Sequence, residues 1–210
     1  MSYYVRSMTR RDLEAVTEID REAFPTQWPP ADYGYEMKNQ MAHYIVACDP
    51  QITVQPPPVR NGPRRLRAWF DRLVGRNQSV SHESAADCHG VVGFAGFWVM
   101  AGEAHITSIA VREKNRRKGI GELLLTGVID LAIEMNADVV TLEVRVSNTN
   151  AQNLYLKYGF KKVGERRKYY LDRGPSGETR EDALIMTTDP IKSEEFRSLL
   201  QRARKARSAA

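Results

Sequence analysis

The stretch IAVREKNRRKGIGELL, residues 109–124, decides how the chain is read. Ile109–Val111 closes an apolar run. From Ile120 onward, Leu123, Leu124, Val128, Leu131 and Met135 recur on one face of a helix of about four turns. The hexapeptide Arg116-Arg117-Lys118-Gly119-Ile120-Gly121 therefore sits between a strand and a helix start. Glycines let the backbone approach a ligand closely. Unpaired amides at the helix start, the helix dipole and three basic side chains together suit an anion, and a pyrophosphate is the natural occupant. The plainer alternative is a glycine-punctuated turn with solvated cations. The segment is not a dinucleotide fingerprint, because the third glycine of GxGxxG would fall at Leu124, and it contains no P-loop.

Working outward, Tyr3–Arg6 reads as a short strand. Thr9 reads as the cap of a helix carrying Leu13, Val16 and Ile19, with Asp12 in its first turn. A second helix over about 31–40 and a strand over His43–Cys48 follow. Val91–Met100 and Ala104–Val111, separated by Ala101-Gly102-Glu103, read as a hairpin. Asp138–Val144 is rich in β-branched residues and reads as a strand. Asn148–Tyr158 reads as a helix ended by Gly159. Strands near Lys162–Leu171 and Asp182–Thr187 flank a turn over Asp172–Thr179, and a basic helix starts near Ser193. Strand–helix alternation with one central hairpin implies an α/β layer architecture with a mixed sheet.

The chain has 210 residues and a formal net charge of +5, with 42% hydrophobic and 27% charged residues, a composition suited to a folded domain and not to a disordered chain. The positive excess is local. Residues 51–90 carry a balance of +3 and residues 191–210 a balance of +4, so the remainder is slightly acidic. Residues 49–89, with Pro56-Pro57-Pro58, an amphipathic stretch over Arg64–Gly75 and a polar, Ser-rich end, read as an insertion. The expected organisation is one domain over 1–190, interrupted by 49–89 and followed by a basic helical tail over 191–210. Val91–Ala101, the longest apolar run, is too short to span a bilayer, and the start of the chain lacks the apolar core of a signal peptide. Two lone cysteines, Cys48 and Cys88, are too few for a disulfide scaffold, which suits a reducing, cytoplasmic setting.

A second constellation runs through Leu142-Glu143-Val144-Arg145-Val146-Ser147-Asn148, then Ala151, Leu154, Tyr155 and Gly159-Phe160. Glu143 lies near the end of an apolar strand, either facing solvent or working in a cleft. Tyr155 is either core packing or a phenol aimed at that cleft. His82, Cys88 and His89 fit no zinc spacing and read as a polar loop. His105 reads as an ordinary strand side chain.

Taken in order, a strand, RxxGxG and a helix, then LEVRxSNxxAxxLYxxxGF, resemble the core of the GNAT N-acetyltransferases, and more narrowly their RimI type, which acetylates the N-terminal α-amine of a ribosomal protein. Met8-Thr9 with Asp12-Leu13, Ala23-Phe24-Pro25 with Trp28, Arg166–Tyr170 and Glu181–Met186 carry the same resemblance over roughly residues 3–48 and 90–188. It implies the fold of that family, a mixed central sheet flanked by helices, here with an inserted segment and a basic C-terminal helix.

It also implies acetyl-CoA as co-substrate and no metal. The backbone of Ile109, Ala110 and Val111 would pair with the pantetheine arm. Arg116, Arg117, Lys118, Gly119, Ile120, Gly121 and Glu122 would hold the pyrophosphate, and Asn148 would hydrogen-bond the cofactor. Glu143 would be the general base and Tyr155 the general acid. Phe24, Trp28, Tyr33, Tyr169 and Tyr170 would line the pocket for a protein N-terminus, with a ribosomal protein as a candidate acceptor. The alternatives are a lysine side chain or a small amine as acceptor or, in another class, an inactive core serving as an RNA- or ribosome-binding module. The insertion and the basic tail depart from the family pattern: the amphipathic stretch Arg64–Gly75 would either dock on the domain or, with the tail, meet an anionic partner such as ribosomal RNA or a membrane surface.

Overall fold

Thr9 and Asp12 start the first helix together. In the computed structural model, which describes residues 3–26, 31–53, 89–174 and 177–209, the Thr9 amide and hydroxyl both donate to Asp12 Oδ2, at 2.7 and 2.9 Å. A short 3-10 turn over Arg10–Asp12 then runs into α1 (Leu13–Ala23). Arg6, on strand β1 (Tyr4–Ser7), clamps the same carboxylate from the side with two guanidinium bonds.

The sheet has seven strands. After β1 come β2 (Ala42–Thr53), β3 (His89–Met100), β4 (Glu103–Val111), β5 (Val139–Arg145), β6 (Phe160–Gly174) and β7 (Gly177–Thr188). Their spatial order is β1-β2-β3-β4-β5-β7-β6. The β4–β5 pair is parallel and the other described pairs are antiparallel, so the sheet is mixed as expected. The β3–β4 hairpin turns on Ala101 and Gly102, both at positive φ (51° and 81°).

Alternating strand residues serve two cores. On one face, Ile45, Phe97, Ile106 and Leu142 pack with Leu124, Leu125, Val128 and Ile129 of α3 (Ile120–Glu134). On the other, Val46, Phe94 and Ala110 meet Val16 and Ile19 of α1. Burial of each such side chain contributes roughly 1.5–3 kcal/mol relative to leaving it in water.

Four sequence-based boundaries move. The helix expected over 31–40 is the single turn α2 (Tyr33–Glu36): Asp32 caps it by accepting from the Tyr35 amide at 3.0 Å, and Asn39 Oδ1 then accepts from the Met41 amide, folding the chain into β2. β2 continues through residues 49–53, so the first residues assigned to the insertion are strand. Its register breaks after Asp49, where Pro50 has no amide to donate. β6 and β7 stay paired through Asp172↔Thr179 to Gly174↔Gly177, in place of a long turn. The fourth concerns the basic tail, which is α5 (Glu194–Ala209). Phe196, Leu200 and Ala203, with Ile191 before it, are buried in the main core, so residues beyond 190 are part of the domain. The amphipathic stretch 64–75 and Cys88 lie outside the described residues.

Candidate active site

Strands β4 and β5 part company. Their parallel pairing joins Glu103–Ile106 to Val139–Leu142 and then stops, although β4 runs on to Val111 and β5 to Arg145. A bulge marks the place: on β3, Phe97 faces Ile106 and Gly96 faces Ser108, leaving Thr107 without a partner. Past it, no strand among the described residues pairs with the β5-facing edge of β4. The split opens into a cleft of about 600 Å³ lined by Ile109, Glu143, Asn148 and Tyr155, and by Phe24, Tyr33, Tyr169 and Tyr170.

At the far end of β4 the chain enters the basic loop. Arg117 and Gly119 both take positive φ, 63° and 76°. Two left-handed residues separated by Lys118 turn the chain sharply enough to start α3 at Ile120. The first-turn amides of Ile120, Gly121 and Glu122 have no carbonyl one turn back to bond. The Arg116, Arg117 and Lys118 side chains are exposed around them, with Arg116 Nε tied to the Val111 carbonyl at 3.2 Å. The Glu122 carboxylate turns away: its Oε1 takes bonds from Lys157 Nζ and the Tyr158 hydroxyl, both at 2.6 Å, and the lysine holds its carboxyl below the usual range. A carboxylate so neutralised does not oppose an anion at the helix start. Ala110 is buried toward α1, Ile109 and Val111 pack against the opposite core, and Ile109 also lines the cleft.

The wall of the cleft carries Glu143, whose side chain is 6% exposed. Its Oε1 accepts from Arg166 Nε at 2.8 Å, and its Oε2 lies 2.9 Å from His105 Nε2. His105, read from sequence as a plain strand residue, thus touches the buried carboxylate. Its register partner across the parallel pair is Thr141, which puts Glu143 two residues further along on the same face. Tyr155 comes from α4 (Thr149–Lys157), its ring 5.6 Å from that of Phe160, and burial pushes its phenol up to about 12. Asn148 caps α4, its Oδ1 accepting from the Ala151 amide at 3.2 Å, and so has structural work besides lining the cleft.

At the mouth, β6 departs from regular register between Arg166 and Tyr170, with Lys168 at φ 52°. This distortion presents two tyrosines. Tyr170 donates to the Glu143 carbonyl at 3.0 Å and lies under the Arg145 guanidinium, while Tyr169 is half exposed. Arg145 bonds Asp172 and Glu181, and Asp172 also accepts from the Thr26 hydroxyl, tying the α1–α2 connection to the β6–β7 hairpin. Phe24 and Tyr33 complete that side, and Trp28 lies outside the described residues. The structure therefore gathers Phe24, Tyr33, Ile109, Glu143, Asn148, Tyr155, Tyr169 and Tyr170 around one cleft, leaves residues 116–122 outside its lining, and adds His105, Arg166, Asp20 and Tyr44 to the group. No helix among the described residues is long and apolar enough to cross a membrane.

Residues 51–160 match the acetyltransferase (GNAT) family. The chain is 31% identical over 183 residues to a putative [ribosomal protein bS18]-alanine N-acetyltransferase of Bacillus subtilis, covering 87% of this chain and 92% of the relative. It is 32% identical over 186 residues to an N-alpha-acetyltransferase of Sulfurisphaera tokodaii, covering 88% and 91%. Among solved structures it resembles the ribosomal-protein-S18-alanine N-acetyltransferase of Escherichia coli, with a TM-score of 0.64 and 25% identity over 91% of this chain and 96% of that one.

Proposed function

Because the chain belongs to the GNAT acetyltransferase family, we propose that it moves an acetyl group from acetyl-CoA to the N-terminal α-amine of a protein, with a ribosomal protein as the candidate acceptor. The observation that carries this reading is the split between β4 and β5, with a buried carboxylate in its wall and an anion-ready helix start at its end. The unpaired edge at Ile109, Ala110 and Val111 accepts the pantetheine arm as an added strand. Arg116 to Glu122 take the pyrophosphate on backbone amides, with Arg116, Arg117 and Lys118 around it. Asn148 bonds the cofactor from the opposite wall.

An α-amine titrates near pH 7.7–8.0, so at neutral pH it is mostly ammonium and cannot attack. Glu143 takes the proton, directly or through one water. The amine adds to the thioester carbonyl, and backbone N–H groups along the β4 edge stabilise the oxyanion. The C–S bond then breaks. Tyr155, kept protonated by its burial, donates a hydrogen bond to the departing sulfur. The second proton that the nitrogen sheds as the intermediate collapses passes to that sulfur, so that CoA leaves as the thiol and Glu143 returns the first proton to water. Full transfer to a free thiolate is uphill, since a thiol titrates near 8.5, so most of the phenol's effect is that hydrogen bond. No covalent enzyme intermediate is needed. Phe24, Trp28, Tyr33, Tyr169 and Tyr170 surround the terminus of the acceptor. Such an acceptor places the reaction in the cytoplasm, and the exposed Arg197, Arg202 and Lys205 of α5 would face ribosomal RNA.

Peptides of one sequence with a free or a formylated N-terminus, each carrying an internal lysine, test the reading. Acetylation of the free terminus alone is expected. Modification of the lysine in both would move the assignment to a side-chain acetyltransferase, and no acetyl-CoA binding by titration calorimetry would leave a binding module.

A further inference from the structure

We propose that Arg166 is a place-holding cation. It occupies the seat of the acceptor's α-ammonium on Glu143 until that ammonium displaces it, and so sets the enzyme's affinity for the acceptor. The inference rests on the acetyl-transfer reading above. The two carboxylate oxygens of Glu143 have different partners. Oε2 lies 2.9 Å from His105 Nε2, and Oε1 accepts from Arg166 Nε at 2.8 Å. A buried carboxylate is costly to leave without a counter-charge, so the incoming amine meets one that is already paired. Arg166 comes from β6, two strands away from Glu143. It lies opposite Ala183 of β7, and Ala183 lies opposite Arg145 of β5. On the strand between, Ala183 offers only a methyl group, too small to block the reach of the arginine.

Of the two guanidinium groups near Glu143, Arg166 is the one free to leave. Arg145 bonds both Asp172 and Glu181 and lies over the Tyr170 ring at 4.3 Å. The Arg166 guanidinium has one hydrogen bond among the described residues, the one to Glu143, and its side chain is half exposed. Its second seat is already in place. The guanidinium carbon stands 5.5 Å from the centre of the half-exposed Tyr169 ring, within the range of a cation–π contact. Leaving Glu143 therefore breaks one hydrogen bond and needs only rotation of the side chain. The backbone stays, because the Tyr170 hydroxyl donates to the Glu143 carbonyl at 3.0 Å and ties β6 to β5. An α-ammonium replaces the guanidinium both in charge and as a hydrogen-bond donor. A neutral terminus brings no such charge.

The test uses the full chain, acetyl-CoA and a free-terminus peptide. Arg166→Gln removes the competing charge, so the KM for the peptide should fall about fivefold, the size of a half-exposed ion pair. The effect should be carried by KM more than by kcat. Arg166→Lys keeps the charge, and a lysine is long enough because Nε, not the outer fork, makes the contact. It should hold the peptide KM within about twofold of wild type. In Arg166→Ala, added ethylguanidinium should restore the wild-type peptide KM by competing with the peptide and not with acetyl-CoA. A peptide KM that rises or stays level in Arg166→Gln overturns the inference, since the arginine would then hold the acceptor or only tie the strands. Lysine behaving like glutamine, or ethylguanidinium without effect, overturns it as well. A wild-type chain that fails to acetylate the peptide overturns the acetyl-transfer reading instead, so the two failures are told apart by the unmutated enzyme.

Discussion

Glu143 is a carboxylate in company. Arg166 and His105 both sit within 3 Å of it, so its negative charge is tolerated at 6% exposure. Arg166 is half exposed and can swing outward, whereas His105 is anchored in β4, so an arriving ammonium competes chiefly with the arginine. Glutamine at this position keeps the shape and most contacts but cannot take a proton. Glu143→Gln should therefore lower kcat by about 10²–10⁴-fold and flatten its rise with pH, with acetyl-CoA affinity intact by calorimetry. Unchanged turnover would remove the base from this residue. Tyr155 makes a complementary prediction in pH. With its phenol pushed up to about 12, it remains a donor throughout the working range, so wild-type kcat should show no decline attributable to it below about pH 10, the range in which an unperturbed tyrosine would already ionise. Tyr155→Phe should slow turnover at every pH in that range by a similar factor. A slowing confined to one limb of the profile would contradict this.

At the scale of elements, the turn before α3 was legible because glycines punctuate the join between an apolar strand and an amphipathic helix. The sequence pattern also anticipated α3, α4, the β3–β4 hairpin and the Thr9 cap, since each depends on spacing along a single segment. What escaped it depended on pairing across segments. The β4–β5 split and the meeting of His105 with Glu143 follow from register between strands over thirty residues apart, and the Thr107 bulge from a slip of register within the β3–β4 hairpin, neither of which a local pattern encodes. β6 and β7 were read short for a related reason. Their outer halves are charged, and antiparallel backbone pairing with Arg145, Asp172 and Glu181 holds them where hydrophobic alternation does not. The loop itself gives a test. Gly119 has φ 76° and nothing within 4 Å of where a Cβ would sit, so an alanine there meets backbone strain and no clash. Gly119→Ala should cost about 1 kcal/mol of the bound loop geometry, roughly a fivefold rise in the acetyl-CoA Kd by calorimetry. A Kd unchanged within error would mean that the loop does not adopt this turn when it binds.

For the whole molecule, the charge distribution that pointed away from the chemistry also misled about architecture. The positive excess lies in residues 51–90 and 191–210, and basic composition made the latter look like an appendage. Its amphipathic spacing says otherwise once the sheet is in place. Phe196 and Leu200 enter the core, and Arg204 bonds Asp130 of α3. The helix docks where α4 turns into β6: a Cβ on Gly159, which has φ 81°, would lie 3.4 Å from Phe196 Cε2 and from Leu199 Cδ1. That corner ends the helix carrying Tyr155, so α5 steadies the Tyr155 side of the cleft from behind. Phe196, 3% exposed, is its main anchor. Phe196→Ala should reduce unfolding free energy by about 3–5 kcal/mol in equilibrium urea titration, as for other buried aromatic side chains cut to alanine. Exposed Arg202→Ala on the same helix should change it by less than about 0.5 kcal/mol. If both variants match the wild type, α5 is an appendage after all. If only Phe196→Ala falls, and kcat falls with it at temperatures where the chain remains folded, the C-terminal helix belongs to the catalytic unit.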